Sequence, residues 1–295
     1  MPLSFTQLAS YRRCPRQYEY CYIKKIPKRV SLGEAFGSAV HNTLKRWGER
    51  EIDPTSLKLR GAGNCELLAG RSLGEGWRMK NVETQLEMFA EEKAPQDSSL
   101  TLQSLATIWH ENFPLNAFPT RVEADAARMR GEELMTLFYA WWSEKPRTVV
   151  AVEKGFSVEM SNDKKSQIIN RQSQIVLTGR FDRIERTSDG LHVIDFKTSQ
   201  PRTQVEVDAD LQLSIYALAT LEDFGELPVA LSLLHITEDG VLEIRTTRNE
   251  NQVRDAVKQI TAIHGRITEK DFRPTPAVPI CKYCPYRGVC DVAAV

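Results

Sequence analysis

The spacing of apolar residues along the chain changes near residue 146, and the change separates a helical half from a strand-rich half. In residues 4–25, Leu8, Tyr11, Cys14 and Tyr18 recur every three or four positions, as on one face of a helix, and Ser4 or Thr6 can cap its start. In SLGEAFGSAVHNTLKRWGER, Gly33 and Gly37 predict a loop. Val40, Leu44 and Trp47 then form a helical stripe with His41 beside it. Residues 51–100 show no such periodicity. GAGNCELLAGRSLGEGW is glycine-rich and AEEKAPQDSSL reads as an acidic loop, so this stretch is expected to be an insertion or a mobile segment. Residues 101–113 and 121–143 predict two helices, the second with Leu134, Leu137, Phe138 and Trp141 on one side.

Beyond Pro146 the period shortens. TVVAVEKGFSVEM, SQIVLTGRFDRIERT and LHVIDFKTS predict three strands, with turns at SNDKKSQ and SDG. DADLQLSIYALATLEDFG predicts a helix with Asp208 or Asp210 near its N-cap and Gly225 past its end. PVALSLLHIT and VLEIRTT predict two strands around EDG, and NENQVRDAVKQITAIHGRIT a last helix. The tail FRPTPAVPICKYCPYRGVC is proline-rich and irregular. Helices, three strands, a helix, two strands and a helix make a mixed α/β fold, without an internal repeat. The expected division is a helical part at 1–50, a helical insertion at 51–145, an α/β core at 146–270 and a cysteine tail at 271–295.

Composition narrows the class. With 41% hydrophobic and 26% charged residues over 295 positions, the chain suits a globular protein. No apolar run approaches the ~18 residues of a membrane helix. The opening MPLSFTQLASYRRCPRQYEY lacks the apolar core of a signal peptide, so the expected location is cytoplasmic. Lys plus Arg equals Asp plus Glu, at 39 each, so net charge decides nothing about nucleic acid. One local patch does bear on it. Arg12, Arg13, Arg16, Lys24, Lys25, Lys28 and Arg29 face a single acid, Glu19, and interleave with Tyr11, Tyr18, Tyr20 and Tyr22. Such a stretch is either a solvated face with core tyrosines or a base-stacking surface.

Chemistry concentrates in VIDFKTSQ, residues 193–200. Asp195 and Lys197 interrupt an apolar strand two residues apart, which puts both on one face. Alone, such a pair is most simply a salt bridge. If the strand forms a hairpin with the one before it, the turn midpoint near Ser188 and Asp189 brings Asp182 beside Asp195. Two converging carboxylates repel unless a cation lies between them, and Mg²⁺ or Mn²⁺ favours such oxygens. Lys197 would then stand where it can orient water or stabilise a developing oxyanion. Glu153 lies on the preceding strand, and Gln212 and Tyr216, four apart, share a face of the following helix.

GSAVHNTL, VEKGF, GRFDRIER, VIDFKTSQ and LQLSIYALA, in that order, resemble the successive motifs of the PD-(D/E)XK nuclease superfamily. The nearest branch is RecB-like, with the nuclease parts of AddAB helicase–nucleases and the CRISPR-associated exonucleases of that type. The resemblance covers residues 4–50 and 146–290. It implies a restriction-endonuclease-like core, a mixed central sheet flanked by helices, with helical N-terminal additions. It implies metal-dependent hydrolysis of DNA, single-stranded or with free ends, in recombination or repair. It assigns His41, Asp182, Asp195 and the Phe196 carbonyl to the metal and Lys197 to catalysis. Gln212 and Tyr216 support the site, and Glu153 carries over less directly. A non-catalytic DNA-binding or scaffold subunit is the rival reading. No GxxxxGK[ST] loop occurs, so any helicase would be a partner or a fusion.

Cysteines add a second centre. Cys281, Cys284 and Cys290 cluster in the tail, and spacing alone leaves zinc and iron–sulfur equally open. The resemblance, to a branch with one upstream and three downstream cysteines, implies a [4Fe-4S] cluster completed by Cys14. Cys21 and Cys65 are expected to be ordinary thiols, and His110, His192, His235 and His264 to have no part in the site.

Overall fold

A short turn sets the centre of the molecule. Thr187 to Gly190 is two residues of turn flanked by alternating apolar strands, and it folds β3 (Ile175–Thr187) and β4 (Gly190–Lys197) into an antiparallel hairpin with Arg183 opposite Ile194. These relations come from a computed structural model, which describes residues 2–28, 30–52, 100–160 and 175–294. The proposed insertion at 51–100 and the SNDKKSQ turn fall almost wholly outside the described residues, as do Arg29 and Cys65.

One edge of β3 pairs along its length with β2 (Thr148–Met160). The other edge is shared. Near its start β3 pairs in parallel with β1 (Leu3–Ser4), and near its end with β4. Between these partners, at residues 179–182, that edge has no strand partner among the described residues. β4 then pairs in parallel with β5 (Ala230–Thr237), and β5 with β6 (Gly240–Thr246), so the sheet is mixed.

Helices cover both faces. α1 (Phe5–Arg13), α2 (Pro15–Tyr18), a π-helical turn (Glu19–Ile23) and α3 (Leu32–Glu51) precede α4 (Leu102–Asn112) and α5 (Arg121–Ser143). Later come α6 (Gln204–Asp208), α7 (Leu211–Phe224), α8 (Glu250–Thr268) and α9 (Val278–Cys281). Because side chains alternate along a strand, β4 feeds two cores. Leu191 and Val193 join Leu8, Leu213, Ala217, Val253 and Ile260. Ile194 and Phe196 join Val40, Leu44, Trp47, Trp109, Leu134 and Phe138.

One expectation differs from the structure, and one open alternative is decided by it. Gly33 and Gly37 lie inside α3, not in a loop. Ser31 and Glu34 cap the helix reciprocally, and Ala35, Phe36, Ala39 and Val40 bury its first turns, which together offset about 1 kcal/mol per glycine. The tyrosines of the basic stretch are mostly core. Tyr11, Tyr18 and Tyr20 are buried against the tail through Phe272, Tyr286 and the Asp271 carbonyl, which takes a 2.6 Å hydrogen bond from Tyr11. Among the described residues no helix is long and apolar enough to cross a membrane.

Candidate active site

The unpaired stretch of β3 is where the acidic residues gather. The β2–β3 register sets Val152 and Lys154 opposite Arg183 and Phe181, so Glu153 falls opposite Asp182. The β3–β4 register, continued by one residue, sets Asp182 opposite Asp195. Three acids thus form one row across three strands. The ladder stops at this row, and Asp182 spans the gap by accepting the Phe196 backbone N–H at its Oδ2 (2.9 Å). His41, from the middle of α3, meets the same oxygen through Nδ1 at 3.3 Å. Donor atoms of His41, Glu153 and Asp182 lie within 4.8 Å of one another. Glu153 reaches this position with φ at 48°, in the left-handed region. A non-glycine residue there stores on the order of 1–3 kcal/mol, which the surrounding sheet must sustain.

Asp195 stands beside this trio rather than inside it. It is 2% exposed. Its Oδ1 accepts from Tyr216 Oη (2.8 Å) and Gln212 Nε2 (2.9 Å), and its Oδ2 is ion-paired with Lys197 without an ordinary hydrogen bond. Lys197 also donates to Gln212 Oε1 at 3.2 Å, so the amide of Gln212 ties acid and base together. α7 presents these groups because Asp210 caps its start, accepting the Gln212 and Leu213 N–H groups. Gln212 and Tyr216 then follow one turn apart. The Tyr216 ring is held by Phe181 and Phe156.

Burial sets the charges. It raises the Asp195 carboxyl above its usual range. Lys197 opposes that rise and the Asp182 charge adds to it. Burial would lower Lys197, but Asp195 and Asp182 outweigh it and keep the ammonium charged. His41 behaves likewise: burial lowers it, the Asp182 hydrogen bond and charge raise it, and the net direction is up. Burial and then the Asp195 charge hold the Tyr216 phenol far above its ordinary value, so it stays a donor. Carboxylates that repel in a buried place, with a histidine among them, form a donor set suited to a hard divalent cation.

The structure therefore brings His41, Glu153 and Asp182 together, places Asp195, Lys197, Gln212 and Tyr216 against them, and lays Phe196 between Asp195 and Lys197 with its side chain in the opposite core. Arg180 was passed over in the sequence. Its guanidinium pairs with Glu153 at 3.1 Å, and its position two residues before Asp182 on an alternating strand was the available signal.

The cysteines lie elsewhere. Cys14, at the start of α2, lines one cavity with Cys281, Cys284 and Cys290. Burial pushes the Cys14 thiol up, but the N–H groups of Thr275, Gln17 and Arg16 outweigh it and draw it below its usual value. Cys284 is raised by burial and by the charges of the other three. Among the described residues no three of these sulfurs come within 4.8 Å of one another.

No curated protein matches this sequence. Among solved structures, the crystal structure of SSO0001 is similar at 18% identity, over 66% of this chain and 82% of that one, with a TM-score of 0.37. The family model of the PD-(D/E)XK nuclease superfamily matches residues 2–291, a span that contains the acidic row, Lys197 and both cysteine segments. By that match the chain belongs to the PD-(D/E)XK nuclease superfamily.

Proposed function

We propose that this protein is a Mg²⁺- or Mn²⁺-dependent deoxyribonuclease of the RecB/AddB-like branch, an exonuclease on single strands or DNA ends in recombination or repair. It would work in the cytoplasm, on strands opened by a partner or fused helicase. The observation that carries the reading is the row Glu153–Asp182–Asp195 with Lys197 beside it. His41, Asp182, Asp195 and the Phe196 carbonyl, with Glu153 next to His41 and Asp182, would hold the divalent ion. The ion would supply Lewis acidity at the scissile phosphate and lower the pKa of an attacking water. Lys197, charged and only partly covered, orients that water and faces the phosphate oxygen on which charge develops. Gln212 and Tyr216 keep Asp195 and Lys197 aligned.

A [4Fe-4S] cluster on Cys14, Cys281, Cys284 and Cys290 belongs to the same reading. Its support is that the four residues line one cavity and that Cys14 favours thiolate.

Asp195→Ala is expected to abolish Mg²⁺-dependent cleavage of a free-ended oligonucleotide while the protein still folds. Lys197→Ala is expected to lose rate with metal affinity largely kept. Wild-type cleavage by Asp195→Ala would remove the site assignment. A wild type inert toward both free-ended and end-blocked DNA would favour the non-catalytic subunit instead.

A further inference from the structure

A second cleft, of about 300 Å³, opens between the N-terminal helices and the cysteine tail, outside the acidic row. Its lining is unlike that of a packing defect. Arg13 and Lys28 bring positive charge, Tyr22 and Tyr283 bring rings, and Gln17 and Ser10 bring polar groups. Arg13 is exposed, and its guanidinium has no ion-pair partner among the described residues. Lys28 is held by Glu34 at 2.8 Å, a surface pair that a phosphate can replace at small cost. Tyr283 is 75% exposed, and the Lys282 ammonium lies 5.5 Å from its ring centre. An exposed ring with a cation over it, in a cleft that also carries Arg13, is an arrangement that holds a base and its phosphate.

The cleft also has a direction. Glu34 lines it, and His41 of the acidic site lies seven residues further along α3, two turns on and on the same face. Between them lie Gly37, against which the Thr198 hydroxyl packs, and the small, exposed Ser38. Seven residues of helix span about 10 Å, on the order of three nucleotides at the 3.4 Å rise of a stacked strand. A volume of this size holds one small ligand, hence one or two nucleotides of single strand and no duplex.

We propose that this cleft binds single-stranded DNA a few nucleotides from the scissile phosphate, stacking a base on Tyr283 and holding a phosphate with Arg13. The proposal rests on the nuclease reading above and adds to it a seat for the strand, walled on one side by the cysteine tail.

The test is fluorescence anisotropy with a labelled twelve-residue oligothymidine, Ca²⁺ replacing Mg²⁺ to hold the strand uncut, alongside Mg²⁺ cleavage of the same strand by the wild type. Tyr283→Ala and Arg13→Ala are each expected to weaken binding about tenfold without lowering the melting temperature. Arg13→Ala should also flatten the slope of log affinity against log salt by about 0.7. A wild type that cleaves the strand, with affinity and slope indifferent to both substitutions, overturns the cleft and leaves the nuclease reading standing. Equal losses on a blunt duplex of the same length also overturn it, because a duplex does not enter. Strand binding that depends on both residues, with no cleavage, overturns the nuclease reading alone.

Discussion

Tyr216 brings to the acidic row a proton that it does not release at neutral pH. Burial and the Asp195 charge keep the phenol protonated, so its hydroxyl donates to Asp195 Oδ1 throughout the working pH range. Tyr216→Phe keeps the ring between Phe156 and Phe181 and removes only that donor. Activity or metal affinity should fall about 10- to 100-fold with little change in melting temperature, which a metal titration of cleavage rate combined with a thermal melt would check. Much of this was legible in the sequence. The two-residue spacing of Asp195 and Lys197, the hairpin midpoint and the four-residue spacing of Gln212 and Tyr216 are local, and local spacings fix which side chains share a face. The turn of Glu153 toward His41 was not legible, because it depends on a positive φ that no side-chain pattern signals.

At the scale of elements, helices α4 and α5 show how close packing overrides propensity. Gly131 lies in the middle of α5, where alanine would add up to about 1 kcal/mol of helix stability. A β-carbon there would sit 1.8 Å from the ring of Trp109, which is fully buried and donates to the Arg128 carbonyl. Gly131→Ala is therefore expected to destabilise by about 1–3 kcal/mol in urea unfolding, against its propensity. Strands β4, β5 and β6 carry a second prediction. His192 donates from Nε2 to Ser232 Oγ at 2.7 Å, and Ser232 donates to Glu243 at 2.9 Å, a chain that suits a neutral imidazole. Burial pushes the His192 pKa down to about 4, with Glu243 opposing and Arg245 assisting. The unfolded chain takes up this proton near 6.5. Between about 6.5 and 4 the unfolded state thus binds more protons, so stability present at pH 7 is lost as pH falls through that window, by about 3 kcal/mol in all. Unfolding at pH 7 and pH 5 should show the loss, and His192→Gln should flatten it. Periodicity announced α4, α5, α7 and α8. It could not announce β1, two residues long, whose partner on β3 lies 174 positions away in sequence, Leu3 to Leu177.

On the scale of the whole molecule, the two ends of the described chain are joined. Tyr11 donates to the Asp271 carbonyl, Thr275 to that of Arg13, and Tyr286 to that of Ile26, each across at least 260 positions. The four cysteines lie at this seam. Cys14→Ser is expected to lose iron and sulfide in protein prepared without oxygen and to lower the melting temperature, because cluster binding contributes directly to folding. Cys65→Ser should keep both; equal behaviour of the two variants would dissolve the four-cysteine assignment. Of the tyrosines read in the sequence as either stacking surface or core, Tyr11, Tyr18 and Tyr20 resolve as core only because the tail returns to cover them, a long-range fact that no local pattern carries. The same seam has a consequence in time. Residues 11–20 leave the ribosome some 250 positions before Phe272 and Tyr286. At 5–20 residues per second their rings wait roughly ten to fifty seconds for the partners that bury them. Throughout that interval the nascent chain presents an uncovered aromatic surface, until Phe272 and Tyr286 emerge to cover it.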